Sequence, residues 1–260
     1  MEHISHSQIS TFIECELRWK LSRDPALIAA RTNNDGTWDM KAGSFIHTVM
    51  ELFHHPDYKK RDTGDILTTF YDAADEEIPL KKPYDGQVRS SLRNFIATFD
   101  TDQAHKPDYV ELEFEVPFPG LAGYTLNGVF DDITFDHVNM EILLGEYKSS
   151  LKEIDTGVKV WQTYQPFVYQ YACSIMYPEY KVRGIQYTLI DPKSAQREVR
   201  AMYPESITEW TAHLTRKGKE MVAVKSGAVE AFPNYQWKCG GRYPCPFWRD
   251  TCERKLMVGF

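Results

Sequence analysis

Residues Asn127–Ser150, NGVFDDITFDHVNMEILLGEYKSS, decide how the rest of the chain is read. They contain two strand-like runs that read as one hairpin. The first carries Asp131 and Asp132; the second, Ile142–Lys148, places Glu146 and Lys148 two positions apart. In a β-strand, positions i and i+2 face the same side, so this carboxylate and this ammonium leave one face together. Val129, Ile133, Ile142 and Leu144 supply the apolar and β-branched content that such strands need. Paired as a hairpin, the runs direct an aspartate and a Glu-x-Lys toward one point. Two converging carboxylates suit a hard cation such as Mg²⁺ or Mn²⁺. A lysine beside them can orient a water or meet the charge that grows on a phosphate. By strand alternation Asp132 leaves the opposite face from Asp131 and ranks second to it. Alone, a Glu-x-Lys on a strand is most often a solvated ion pair of little energetic weight, so the flanking segments have to carry the reading further.

The chain has 260 residues, 42% of them hydrophobic, enough for one sizeable core with an inserted helical lobe. It has no apolar run of bilayer length, and its first residues, MEHISHSQIS, lack a signal-peptide core, which predicts a cytosolic protein without membrane contact. The formal charge of −7 is not that of a protein that coats nucleic acid. It leaves room for a metal site, which concentrates acid, and for local basic patches that hold phosphates. The five cysteines, Cys15, Cys173, Cys239, Cys245 and Cys252, are odd in number and argue against a disulfide framework.

Outward from the hairpin, Tyr109–Val116 alternates as a strand with Glu111, Glu113 and Glu115 on its polar face, any of which has the reach to approach a metal. Upstream, Gly43–Phe53 reads as a helix on which His47 and Glu51 share a face. Asp65–Ala74 and Gln87–Phe99 carry helical periodicity and suggest a helical insertion over about 56–106, with Lys81, Lys82, Arg89 and Arg93 as candidate backbone contacts to DNA. Ser5–Lys20 reads as one helix, with Ser5 or Ser7 as its N-cap and an apolar stripe of Ile9, Phe12, Ile13 and Leu17. Downstream, Trp161–Tyr177 is helical. Pro166 is awkward inside a helix and places the helix start near Gln165, with Tyr169 one turn on. Lys181–Leu189 and Glu198–Tyr203 form a second hairpin, and Ser206–Val224 an amphipathic helix. The expected architecture is an α/β sandwich around a mixed sheet.

The tail, residues 232–260, is rich in Gly, Pro and aromatics around Cys239-x5-Cys245-x6-Cys252. It has no C-x2-C knuckle or His pair to complete a zinc ribbon. Three unrelated buried thiols are one reading. A four-thiolate set with Cys15, suited to a [4Fe–4S] cluster, is the other and the better one. Cys173 reads as a small core residue.

Gly128-x-x-Asp131 followed by a hairpin and Glu146-x-Lys148 resembles the core of PD-(D/E)XK nucleases. Gly43-x-x-x-His47 on a preceding helix, Gln165-x-x-x-Tyr169 on a following one and the Ser-rich entry ending in Cys15 narrow the resemblance to the RecB-like branch, with its CRISPR adaptation, AddB-type and phage exonucleases. The chain departs from those motifs with Glu16 where proline is usual and with a wider cysteine spacing in the tail. The resemblance runs from Ser5 to Cys252 and implies a restriction-endonuclease-like domain over residues 1–260. It implies a metal-dependent DNA nuclease, chiefly an exonuclease on single strands or duplex ends. Asp131, Glu146 and Lys148 would be catalytic, with His47, Asp131 and Glu146 on one or two Mg²⁺ or Mn²⁺ ions. Gln165 and Tyr169 would hold the substrate strand, with Gln162 and Gln170 as alternative amides. Cys15, Cys239, Cys245 and Cys252 would hold the iron–sulfur cluster and clamp the two chain ends. A helicase, recombination protein or CRISPR integrase is the kind of partner implied. Two rivals follow from the same resemblance: an inactive nuclease-fold DNA-binding subunit, and a structure-specific endonuclease.

Overall fold

A computed structural model describes residues 1–25, 27, 38–54, 68, 71–72, 82–99, 107–149, 164–202, 206–232, 245 and 247. Twelve elements are described in chain order. They are β1 (Glu2–Ser5), α1 (His6–Glu14), α2 (Glu16–Leu21), α3 (Trp38–His54), α4 (Lys82–Phe99), β2 (Tyr109–Pro117), β3 (Tyr124–Asp136), β4 (Glu141–Ser149), α5 (Gln165–Met176), β5 (Lys181–Ile190), β6 (Ala195–Ala201) and α6 (Ser206–Ser226). The strands form one six-stranded mixed sheet in the order β1-β3-β4-β5-β6, with β2 paired to β3. None of the described helices is long and apolar enough to cross a membrane.

The chain divides into two compact units. One comprises Met1–Asp35, Pro117–Asn127 and Thr208–Phe260, the other Gly36–Val116 and Gly128–Ile207. In the first unit β1 runs parallel to the start of β3, from Glu2↔Tyr124 to Ser5↔Asn127. Ser5, the first of the two candidate caps, accepts a hydrogen bond from Gln8 N at 3.4 Å and starts α1. The single helix predicted over Ser5–Lys20 is two helices. Cys15 is extended, with φ −166° and ψ 109°, and its Sγ accepts from Arg18 N at 3.4 Å, so the cysteine itself caps α2. Apolar spacing could not show this break, because Ile9, Phe12, Leu17 and Trp19 are buried on both sides of it.

The second unit carries the acidic hairpin. β3 and β4 pair antiparallel from Asp136↔Glu141 to Asp132↔Gly145. At the turn, Asp136 Oδ1 accepts from Val138 N and Asn139 N, both at 3.0 Å, which fixes the connection and the register. β4 runs parallel to β5, and α5 makes the crossover between them, as a parallel pair requires. α5 begins at Gln165 with a proline in its first turn, as the sequence implies. β5 and β6 close an antiparallel hairpin whose turn is held by Asp191 Oδ1, accepting from Lys193 N and Ser194 N at 2.8 Å.

Two apolar clusters position the site. Phe45, Ile46, Val49 and Met50 of α3 and Val88, Leu92, Phe95 and Ile96 of α4 form one fully buried set with Tyr147 and Ile190. This burial is why α4, within the stretch read as an insertion, is tied to the sheet. Phe114, Phe130 and Tyr169 form the other cluster, with ring centroids 4.6 Å apart for Phe114–Phe130 and 5.0 Å for Phe130–Tyr169. Gly128 belongs to it by necessity: a Cβ there would stand 2.7 Å from Phe114 Cζ. Phe114 is packed against the rings of Phe130 and Tyr169, so making room for a Cβ disturbs that cluster. Gly128→Ala is therefore expected to destabilise the protein by ~1–3 kcal/mol, the usual cost of overpacking, read as a lower denaturation midpoint at unchanged m-value.

Candidate metal and active site

Four elements of the second unit bring their polar side chains together. α3 supplies His47, one turn into the buried stretch that anchors the helix. β2 supplies Glu111, β3 Asp131, and β4 both Glu146 and Lys148. His47 Nδ1 lies 3.4 Å from Glu111 Oε1 and 3.9 Å from Asp131 Oδ2. One ligand atom each from His47, Glu111 and Asp131 falls within 4.8 Å of the others. Asp131 is oriented by a 2.7 Å hydrogen bond that its Oδ2 accepts from Tyr147 N. This bond takes over where the β3–β4 ladder stops at Asp132↔Gly145.

Glu146 and Lys148 emerge on one face, as their spacing demands, and the lysine ammonium donates to Glu146 Oε1. The same ammonium donates to Gln165 Oε1 at 3.0 Å. Gln165 Nε2 then donates to the Tyr169 hydroxyl oxygen at 2.7 Å, and that hydroxyl donates to Val129 O at 2.6 Å. The Gln165–Tyr169 pair is buried, and these bonds tie Lys148 to the strand that bears Asp131. Asp132 takes no part in the cluster; its Oδ2 accepts from the Tyr147 hydroxyl at 2.6 Å.

Glu111 is the member whose place composition alone does not reveal. Three glutamates alternate along β2, and only one turns to His47. Its backbone explains the choice: Glu111 has φ +48°, in the left-handed region that a side-chain-bearing residue seldom occupies. A residue so placed interrupts the alternation of a strand and re-aims its side chain. Of the residues proposed from sequence, His47 and Asp131 share the group with Glu111. Glu146, Lys148, Gln165 and Tyr169 stand next to it in one bonded chain, and Gln170 lies buried on α5. Gln162, Cys239 and Cys252 lie outside the described residues, whereas Cys15 and Cys245 are half-buried and Cys173 is buried, none of the three in a disulfide among the described residues.

The electrostatics are those of a site short of positive charge. Burial, and then the charge of Glu146, holds the Asp131 carboxyl well above its usual range, against the pull of His47 and the Tyr147 amide. Burial likewise raises Glu146, with Lys148, His47 and Gln165 drawing it partly back. For His47, burial favours the neutral ring, but the hydrogen bond to Glu111 and the charges of Asp131, Glu111 and Glu146 outweigh it and raise its pKa. Glu146 Oε2 is buried with no hydrogen-bond partner among the described residues. Such an atom is costly unless something positive meets it. The carboxylates are hard oxygen donors of the kind Mg²⁺ or Mn²⁺ takes, and the imidazole adds one borderline nitrogen donor. The residues therefore fit a divalent cation.

A consequence for stability follows. A carboxyl whose pKa is raised on folding contributes fully below its unfolded value, and that contribution is lost as pH rises through the folded value. Glu146→Gln removes the loss. In EDTA at neutral pH the variant is expected to melt above wild type, by roughly 2–4 °C per kcal/mol of relieved penalty. Near pH 4, about the ordinary glutamate value, the two should melt together. Thermal melts at the two pH values check this, and a wild type that melts higher at both would refute it.

Three comparisons bear on this arrangement. The model of the PD-(D/E)XK nuclease superfamily matches residues 3–253. No curated protein matches the chain. Among solved structures, one named "Putative exonuclease" from Eubacterium rectale aligns with a TM-score of 0.58 at 13% identity, covering 92% of this chain and 86% of that one. The structure named SSO0001 aligns over 76% of this chain and 91% of that one at 14% identity, with a TM-score of 0.36, and carries no weight here. The mixed six-stranded sheet with its flanking helices is the restriction-endonuclease-like arrangement.

Proposed function

Because the chain belongs to the PD-(D/E)XK nuclease superfamily, we propose that it is a metal-dependent deoxyribonuclease, an exonuclease that hydrolyses single-stranded DNA or duplex ends. The observation that carries this reading is the convergence of His47, Glu111 and Asp131 within 4.8 Å, beside the bonded chain Glu146–Lys148–Gln165. His47, Asp131 and Glu146, with Glu111, would hold one or two Mg²⁺ or Mn²⁺ ions. A bound cation would supply Lewis acidity toward water and the phosphate. Lys148 is aimed by Glu146 and Gln165, so that its ammonium positions the attacking water or meets the developing phosphate charge. Gln165 and Tyr169 fix that lysine and border the path of the substrate strand.

Cys15, Cys239, Cys245 and Cys252 form the remaining part of the proposal, a [4Fe–4S] set that fastens the two ends of the chain. Anaerobically purified protein should then be brown and bleach with dithionite; colourless protein with stoichiometric zinc would refute the cluster.

Degradation of 5′- and 3′-end-labelled single- and double-stranded DNA tests the function. With Mg²⁺ or Mn²⁺, short products should leave the ends, closed circular DNA should survive, and EDTA should stop the reaction. Cleavage of closed circles would make the protein an endonuclease. No metal-dependent cleavage of any DNA would leave the inactive binding subunit as the better reading.

A further inference from the structure

The residue between Glu146 and Lys148 has side-chain contacts that the metal reading does not use. Tyr147 touches both His47 and Asp131 from within its own residue. Its backbone N–H donates to Asp131 Oδ2 at 2.7 Å. Its ring meets the His47 ring edge-on, with centroids 6.1 Å apart and planes at 86°. On α3, seven residues beyond His47, His54 stacks on the same ring with centroids 6.1 Å apart and planes at 15°. The far end of the ring is tied as well, because the hydroxyl donates to Asp132 Oδ2 at 2.6 Å.

Asp132 is only 1% exposed, and a carboxylate in such a place is costly unless it is hydrogen-bonded. The strand opposite makes the room for it. Gly145 pairs directly with Asp132, and a Cβ on Gly145 would stand 2.0 Å from Asp132 Cγ. A glycine and a buried carboxylate thus act on one buried phenol, whose ring abuts one candidate ligand while the backbone amide of the same residue orients another. Core packing alone would be served as well by a phenylalanine with an apolar neighbour at 132.

We infer that Tyr147, held by Asp132 in the space left by Gly145, is the positioning residue that fixes His47 and Asp131 in the geometry a divalent cation requires. This rests on the metal site proposed above. Groups that orient ligands from behind typically change metal affinity by about 10–100-fold. Tyr147→Phe keeps the ring and the amide but frees the far end of the ring, so it isolates the lock.

The test is Mn²⁺ binding, followed by the electron paramagnetic resonance signal of free Mn²⁺, together with thermal melts in EDTA. Tyr147→Phe and Asp132→Ala should each weaken Mn²⁺ binding by about tenfold. Asp132→Asn, which keeps an acceptor for the phenol, should recover most of what Asp132→Ala loses. Cleavage by Tyr147→Phe should need correspondingly more Mn²⁺ for half-saturation, with kcat at saturation little changed. If the variants melt lower but the folded proteins bind Mn²⁺ as wild type does, Tyr147 is a packing residue and the inference is wrong. If wild type binds Mn²⁺ but cleaves no DNA, the functional reading fails while the affinities still decide the role of Tyr147. If wild type binds no Mn²⁺, both fall.

Discussion

Asp131→Asn is expected to lower metal-dependent DNA cleavage by at least about 10³-fold, because the charge stabilisation a metal ion supplies is worth several kcal/mol and each 1.36 kcal/mol is tenfold in rate. The substitution is chosen for what it leaves intact. An asparagine oxygen still accepts from Tyr147 N, the bond that Asp131 Oδ2 makes at 2.7 Å, so the strands need not rearrange. What disappears is one negative charge in a group whose members lie within 4.8 Å. Since burial and Glu146 already hold the Asp131 carboxyl well above its usual range, its loss should not destabilise the metal-free protein. Activity should therefore collapse in a protein that melts no lower than wild type, and full activity in the variant would refute the assignment.

Lys148→Gln is expected to lower kcat by about 10²–10³-fold, the usual cost of removing one preorganised donor from developing charge, while Mn²⁺ affinity changes little. Glutamine keeps an N–H for the buried Glu146 carboxylate, which would otherwise lose the partner it now has. It removes the positive charge that Gln165 Oε1 holds in place at 3.0 Å. The two variants should thus separate cleanly: Asp131→Asn fails to bind metal, whereas Lys148→Gln binds it and turns over slowly. Steady-state kinetics over a Mn²⁺ titration distinguish them. Equal loss of metal affinity in both would mean that Lys148 supports the ligands instead of acting on the phosphate.

The parts of the site legible from sequence are those set by short-range geometry. Glu146 and Lys148 share a face because strands repeat every two residues, and their ion pair follows. His47 lies on a helix because an apolar stripe buries Phe45, Ile46, Val49 and Met50 around it. The start of α5 at Gln165 follows from Pro166, whose missing N–H is harmless in a first turn.

The parts that were not legible depend on contacts between distant residues or on unusual backbone. Glu111 was one of three equivalent glutamates until φ +48° singled it out. Nothing in the run around Cys15 forbids a continuous helix, yet its Sγ caps a new one. β1 has only four residues, too few to show alternation, and exists because β3 offers it a parallel partner. The role of Gly145 is invisible until Asp132 is seen lying across it. Asp132 leaves the opposite face from Asp131, and its partner, Tyr147, is a cross-strand matter that spacing along one strand cannot reveal.

The most direct test of the account is where a cation binds. Crystals grown with Mn²⁺ should show one or two anomalous-scattering peaks at ligand distances of about 2.0–2.3 Å from His47, Asp131 and Glu146, with Glu111 facing the same ions. An anomalous map with no peak there, or with Mn²⁺ bound only elsewhere on the protein, would contradict it.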